Sequence, residues 1–377
     1  MQAIHTTTYQ AAQAVAGSIE LHFSRLLALE KQPKDGMPPL PPAKHIAFLL
    51  DTAFWASLRR EEGIPPKISL AYLPPEQVPH PLLFKEHLPL RAPILNKIAP
   101  GVERPGIHLG VWHDADGLYV WGTTSAVPSL CMVVDVSEPG LLVIKHRRAK
   151  GLGKFANVAI LKGDEVKLID EHAAQIPDCP SVLTSLLKFK GSDIWDDSLN
   201  IMVQLAVSMR AHKRGGLLLV VPAGSDAWRY SILQPMLYSV QPAFSALADL
   251  IKTAPETYAQ EAVHREVDLI AGLTAIDGAT IINDQYELLA FGAKIGRLEG
   301  QEPVKEIVLT EPVVGGKATR THPSLNGGTR HLYAAQFVHD QRDAIALVAS
   351  QDGRFTIFSW STCDEVVQAH RIDALLL

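Results

Sequence analysis

The sequence predicts an α/β protein of two domains. The first, residues 1–190, is a β-hairpin-rich α+β domain, and the second, residues 191–377, has a central mixed sheet flanked by helices. Three observations predict this. A length of 377 residues favours two or three domains. The hydrophobic period changes from helical to alternating near residue 107. Beyond Ser192, helical and strand patterns follow one another, as in α/β domains.

The composition narrows the class of protein. Hydrophobic residues make up 47% and charged residues 20%, which is typical of a globular protein. The net charge of −5 provides no overall basic field for nucleic acid. The 3 cysteines are widely spaced, which favours a reducing compartment. Residues 1–17 lack a signal pattern, and no apolar run approaches the roughly 18 residues of a membrane helix. We therefore expect a cytoplasmic protein without nucleic-acid or membrane partners.

Helical patterns open the first domain. Apolar residues at helical spacing predict a helix over residues 8–32, with Thr8 as its N-cap, and a second helix over residues 45–62. The proline-rich stretch between them cannot continue a helix. A strand is predicted over residues 68–73, and the proline-containing residues 74–105 are expected to be loops with one short helix.

Three β-hairpins are predicted within residues 107–170. Each consists of two β-forming runs joined by a short polar turn that contains glycine: residues 107–121, 131–145 and 158–169. Together with the preceding strand they form a β-rich module.

The second domain begins with an amphipathic helix over residues 195–213, which ends at Gly215 and Gly216. Further helices are predicted over residues 243–253 and 258–274. Strands are predicted over residues 217–221, 279–282, 287–291, 307–309, 344–349 and 355–360.

Asp277 stands between a predicted helix and a predicted strand and is followed by Gly278 and Ala279. Small residues allow a ligand to approach the backbone, and a carboxylate can bind a divalent metal ion or accept a proton from a hydroxyl. Asp-Gly is also among the commonest turn signals, so the tripeptide alone favours a plain turn.

A second segment combines a glycine turn with polar side chains. Residues 327–331, Gly-Gly-Thr-Arg-His, precede a predicted helix over residues 332–338. Glycines ahead of a helix N-terminus form an anion site, and Arg330 adds a bidentate donor for phosphate. The alternative is a glycine-rich loop with a surface arginine. Ser350 follows a predicted strand, where ligand-binding groups often lie.

Taken in order, these segments resemble the diadenylate cyclase (DAC, or DisA-N) domain. That family has a DGA motif, a GTRHR motif and a VSxxxG strand end in this order and at about this spacing. The resemblance covers residues 195–360, and the three motifs in order are more specific than any one of them. The hairpin-rich segment before it, with Trp121-Gly122 and Glu138-Pro139-Gly140, is similar to the DACNV-type sensor module found ahead of some DAC domains.

The resemblance implies that two ATP molecules are condensed into cyclic di-AMP and pyrophosphate. Two domains face each other, and the 3′-hydroxyl of each ATP attacks the α-phosphate of the other, so at least a homodimer is required. Mg²⁺ or Mn²⁺ is implied, with Asp277 as metal ligand and catalytic residue. The resemblance assigns Arg330 and His331 to catalytic phosphate contacts. It assigns nucleotide contacts to Gly278, Ala279, Ile295, Gly328, Thr329 and Ser350.

One position departs from the family. The last arginine of the RHR motif is Leu332 here, which removes a charge-assisted contact of roughly 1.5–3 kcal/mol. Arg297, Lys317, Arg320 or Arg354 could compensate.

Three hypotheses follow. Asp277 favours an active cyclase regulated by the N-terminal domain, which would respond to a small molecule or protein of a kind that the sequence does not indicate. Leu332 favours a catalytically degenerate DAC domain that binds adenine nucleotide or cyclic dinucleotide as a sensor. The third is an interaction protein whose loops are plain turns.

Overall fold

The structure is a computed structural model that describes residues 7–29, 37–148, 155–170, 201–253 and 258–377. The chain divides into two compact units, Met1–Ile169 with the terminal Leu377, and Asp170–Leu376. The predicted boundary between residues 190 and 191 lies outside the described residues. In the described ranges, no helix has the length and apolarity needed to cross a lipid bilayer.

The first unit contains one eight-stranded sheet. Its helices are α1 (Gln10–Leu29), α2 (Ala43–Ser57) and α3 (Ala92–Ile98). Its strands are β1 (Ile68–Tyr72), β2 (Leu82–Pro89), β3 (His108–Asp114), β4 (Gly117–Thr124), β5 (Met132–Glu138), β6 (Leu141–Arg147), β7 (Phe155–Lys162) and β8 (Glu165–Leu168). The strand order is β2-β4-β3-β1-β5-β6-β7-β8, with β1 and β3 parallel and the other pairs antiparallel. The three predicted hairpins are confirmed as β3–β4, β5–β6 and β7–β8.

The helices cover one face of this sheet, where Phe23 of α1 and Leu50 of α2 are buried with Leu70 of β1. The prediction that Thr8 caps α1 is wrong. The carboxylate of Asp51 accepts hydrogen bonds from the amides of Thr8 (2.8 Å) and Tyr9 (2.7 Å) instead. A residue of the neighbouring helix therefore satisfies the amides ahead of α1, which begins at Gln10.

Two further predictions for this unit need correction. The helix predicted to end at residue 62 ends at Ser57, and the residues around 62 cannot be helical because Glu62 (φ +50°) and Gly63 (φ +84°) form a left-handed turn. This turn is closed by backbone hydrogen bonds between Glu61 and Ile64 of 3.0 and 2.9 Å. Residues 74–105 also contain β2, an edge strand whose residues are mostly exposed and therefore lack the alternation that marks a half-buried strand.

The opposite face of the sheet holds a smaller apolar cluster centred on Trp121. Its indole lies across Gly110, where a Cβ would stand 1.9 Å from the ring. The indole N–H donates to the backbone oxygen of Leu73 at 2.8 Å. Cys131 belongs to this cluster as a free thiol, and burial raises its pKa to about 12.

The second unit is a nine-stranded mixed sheet between helices, which confirms the predicted mixed α/β architecture. Its helices are α4 (Ile201–Ala211), α5 (Ala246–Thr253), α6 (Tyr258–Leu273), α7 (Pro323–Asn326) and α8 (Thr329–Asp340). Its strands are β9 (Gly216–Val221), β10 (Ser239–Phe244), β11 (Ala279–Asn283), β12 (Leu288–Ala293), β13 (Ile307–Thr310), β14 (Thr319–Thr321), β15 (Ile345–Ala349), β16 (Phe355–Ser361) and β17 (Val366–Arg371). The strand order is β10-β12-β11-β9-β15-β16-β17-β13-β14, with β9 parallel to β11 and β13 parallel to β17.

Both faces of this sheet are buried. Along β9, Leu217 and Leu219 belong to the core that includes α8, whereas Leu218 and Val220 belong to the core that includes α4 and α6. The continuous apolar run of β9 is therefore explained by burial on both faces. Strands β10, β14 and β17 were not predicted, and residues 195–200 of the predicted first helix lie outside the described residues.

Candidate functional site

One end of the second sheet collects the motifs found in the sequence. The parallel strands β9 and β11 begin at this end, and β12 and β15 finish there, since Ala279 pairs with Ala293 and Gly216 pairs with Ala349. Asp277 therefore lies just before β11, Lys294 just after β12 and Ser350 just after β15. The register of the sheet therefore brings these three residues together at this end of the sheet, which is formed by strand ends and is called the edge below.

The turn that carries Asp277 requires glycine at its second position. Gly278 has φ +117°, and a Cβ there would lie 2.5 Å from the carbonyl carbon of Gly292 and 2.9 Å from the oxygen of Ala293. The turn therefore packs directly on the backbone at the end of β12. This contact fixes the position from which the Asp277 side chain, 89% exposed, projects.

Asp277 forms an ion pair with Lys294, whose Nζ lies 2.5 Å from Oδ2. The hydrogen bond and charge of Lys294, followed by the charge of Arg330 and the Gly278 amide, hold the pKa of Asp277 below its usual value. The sequence interpretation gave Lys294 no role. The only signal for it was its place directly after the glycine-containing end of a strand.

Helix α8 begins at Thr329, three residues earlier than predicted, because Gly328 occupies the N-cap position. The amides of His331 and Leu332 bond to the oxygen of Gly328, at 3.0 and 3.4 Å. The amides of Thr329 and Arg330 precede the intrahelical ladder and lie at the positive end of the helix dipole. Thr329 and Arg330 are therefore part of the first helical turn, an anion-binding geometry.

Arg330 extends from this turn toward the start of β9. A Cβ on Gly215 would lie 2.9 Å from Nη1 of Arg330. The charge of Arg330 also contributes to lowering the pKa of Asp277 and of His212. Its guanidinium thus lies in the electrostatic range of the carboxylate.

His331 points away from the exposed edge. It is 2% exposed, and its Nδ1 would lie 2.3 Å from a Cβ on Gly327, so that glycine is needed for space. Burial, followed by the charge of Arg371, lowers the pKa of His331 to about 4, and the ring is neutral at pH 7. Its Nε2 lies 3.4 Å from the hydroxyl of Thr356. The phosphate contact expected of His331 stays a prediction, and it requires this ring to become accessible.

Ser350 opens the turn between β15 and β16. Burial opposes ionisation of Asp352, but hydrogen bonds from the Ser350 side chain and the Arg354 amide, with the Arg354 charge, lower its pKa. Ala279 is fully buried and can offer a ligand only its backbone. Ile295 is also buried and pairs with Ile232 as an isolated bridge.

Leu332 is partly buried and packs against the core that includes α8. Of the residues expected to compensate for it, Arg354 lies at this edge beside Asp352, at 3.4 Å. Arg320 pairs with Glu306 at 2.8 Å.

An apolar wall, defined here as Leu233, Tyr238 and Ile276, stands beside the Asp277–Lys294 pair. A Cβ on Gly292 would lie 2.8 Å from Tyr238 and 3.4 Å from Ile276, and a Cβ on Gly296 would lie 2.8 Å from Leu233. All three wall residues are exposed. Such a wall suits a flat apolar ring, and the neighbouring cations suit phosphate.

The donor set for a metal ion at this edge is sparse. Across the part of the chain that the structure describes, no three His, Cys, Asp or Glu side chains are grouped to hold a metal. A single carboxylate such as Asp277 is sufficient for an ion such as Mg²⁺, which binds through one or two carboxylates and completes its coordination shell with substrate phosphates and water.

Comparison with family models gives a match in the first unit. Residues 35–125, which include α2, α3 and β1 to β4, match the family model described as "Probable sensor domain DACNV". This match supports the predicted sensor module in the N-terminal half. No curated protein matches the chain.

Proposed function

We propose that the second unit is a diadenylate cyclase domain regulated by the N-terminal sensor module. It condenses two ATP molecules into cyclic di-AMP and releases two molecules of pyrophosphate. The observation that carries this proposal is the convergence of Asp277, Lys294, Arg330 and Ser350 at one sheet edge beside an apolar wall. Because each protomer holds one ATP, the active form is a homodimer or a larger assembly.

The chemistry requires little covalent help from the protein. In each half-reaction, the 3′-oxygen forms a bond to the α-phosphorus of the ATP held by the partner protomer. The bond to the β-phosphate breaks, and pyrophosphate leaves with the electron pair. Asp277 would hold the metal ion and accept the proton of the attacking 3′-hydroxyl. Arg330 and the free amides of α8 hold phosphate oxygens, and the apolar wall contacts adenine. Mg²⁺ or Mn²⁺, when bound, supplies charge neutralisation and lowers the pKa of the hydroxyl.

A second candidate is a nucleotide sensor without turnover. It is favoured by the packing of Leu332 against the core and by the enclosed ring of His331. The edge then offers fewer phosphate donors than the motif of active family members, and it could retain adenine-nucleotide or cyclic-dinucleotide binding while losing catalysis.

The deciding experiment is incubation of the purified full chain with ATP and Mn²⁺ or Mg²⁺, followed by mass spectrometry for cyclic di-AMP. Asp277→Asn is the test variant. Asp226→Asn is the matched control, because Asp226 is 81% exposed and pairs only at the surface with Arg229, at 2.7 Å. Product from the native chain and the control, but not from Asp277→Asn, supports the cyclase. Nucleotide binding without product supports the sensor, and neither binding nor product overturns both.

A further inference from the structure

The geometry points to Lys294 as a phosphate-binding residue that Asp277 holds in place until the nucleotide arrives. This inference rests on the proposed function and adds a residue to its site. It predicts that Lys294 exchanges one anionic partner, the carboxylate, for another, the triphosphate.

The backbone around Lys294 is anchored by three contacts. Ala293 pairs with Ala279, the oxygen of Lys294 accepts the amide of Leu233 at 2.8 Å, and Ile295 pairs with Ile232. The side chain itself is 54% exposed. A fixed Cα with a long, flexible and exposed side chain allows the ammonium to change partners without movement of the strand.

The local charges favour such an exchange. One carboxylate, Asp277, faces two cations, Lys294 at 2.5 Å and the more distant Arg330. A divalent ion that binds Asp277 repels the ammonium from it, and a triphosphate carries more negative charge than the ion neutralises. Lys294 then has an anion to bind within reach of its old position.

Lys294 also supplies a positive charge in place of the guanidinium that is missing at Leu332. The family motif implies a guanidinium at position 332, but the leucine packs against the core. Lys294 places a cation at the same sheet edge from a different strand. Arg354, another cation at this edge, is already paired with Asp352, at 3.4 Å.

The test measures ATP binding to the full chain by calorimetry, with Mn²⁺ and separately in EDTA. Lys294→Met should weaken ATP binding with Mn²⁺ by roughly tenfold or more, the range for a charge-assisted hydrogen bond, and Lys294→Arg should restore most of it. Lys305→Met is the matched control, because Lys305 is 78% exposed and pairs with Glu302 at 3.7 Å.

A double-mutant cycle in EDTA separates binding from a structural effect. Asp277→Asn should tighten metal-free ATP binding severalfold, because it frees Lys294 and removes a repulsive charge. The part of that gain due to Lys294 should vanish in the Asp277→Asn/Lys294→Met double variant, so that the two changes are non-additive. Unchanged affinity in Lys294→Met, or strict additivity, overturns the role of Lys294 alone. If the native chain does not bind ATP even with Mn²⁺, the proposed function fails and the inference fails with it.

Discussion

Replacing Gly278 by alanine tests whether the candidate site depends on the close contact between its turn and strand β12. Two costs add. A non-glycine residue at φ +117° is strained by about 1–3 kcal/mol. The new methyl group would lie 2.5 Å from the carbonyl carbon of Gly292, and backbone cannot rotate away as a side chain can, so overpacking adds about 1–3 kcal/mol. We expect a total loss of about 2–6 kcal/mol in local stability.

Hydrogen exchange read by mass spectrometry can localise this loss to β11 and β12. A loss of 2 kcal/mol corresponds to roughly 30-fold faster exchange where the amides open by local unfolding. Gly272→Ala is the matched control, because Gly272 lies in α6 and a Cβ there meets nothing within 4 Å. Alanine should stabilise this helix by roughly 0.5–1 kcal/mol. If Gly278→Ala leaves exchange in β11 and β12 within threefold of the native rate, the contact does not hold the turn.

Three further predictions concern stability. The pKa values of His331 and His370 are about 4 in the folded unit, below the unfolded value near 6.5. The free energy of unfolding should therefore be highest above pH 6.5 and should fall toward pH 4 by up to about 3 kcal/mol per ring. Equal urea midpoints at pH 7 and 4.5 would contradict this. Gly110→Ala should cost roughly 1–3 kcal/mol or more, because the new methyl group overlaps the Trp121 indole, and it should lower the melting temperature. An unchanged melting temperature would refute this packing. Asp51→Ala should cost about 1–3 kcal/mol, because the amides of Thr8 and Tyr9 lose their acceptor. The control, Gly17→Ala in the same unit, should stabilise α1. Equal effects of the two variants in urea titrations would refute the capping role of Asp51.

Elements that are determined by a few neighbouring residues could be predicted from the sequence. The three hairpins were predicted because Asp-Gly, Pro-Gly and Gly-Asp turns separate β-forming runs, and β9 because its five apolar residues stand between turn residues. The exposed strand β2 and the short strand β14 were missed, because an edge strand is specified by its neighbour and not by its own pattern.

The site shows the same division. The glycine at position 278 and the carboxylate beside it could be identified from residue types alone. The partner of that carboxylate could not, because the meeting of Lys294 with Asp277 depends on the register of β11 against β12. The burial of His331 could not be predicted either, because it depends on the His331 ring occupying the volume that a Cβ on Gly327 would need and on the position at which α8 begins. Long-range register and packing space are properties of the assembled sheet.

The overlap geometry at Gly110 and Trp121 has an evolutionary consequence. The indole occupies the volume that a side chain at position 110 would need, and both residues lie within the stretch that matches the sensor family. Tryptophan at position 121 is therefore compatible only with glycine at position 110. Homologues should change the two positions together, exchanging a bulky ring on one strand for a bulky side chain on its neighbour, and a lineage that gains a Cβ at position 110 must first give up the tryptophan.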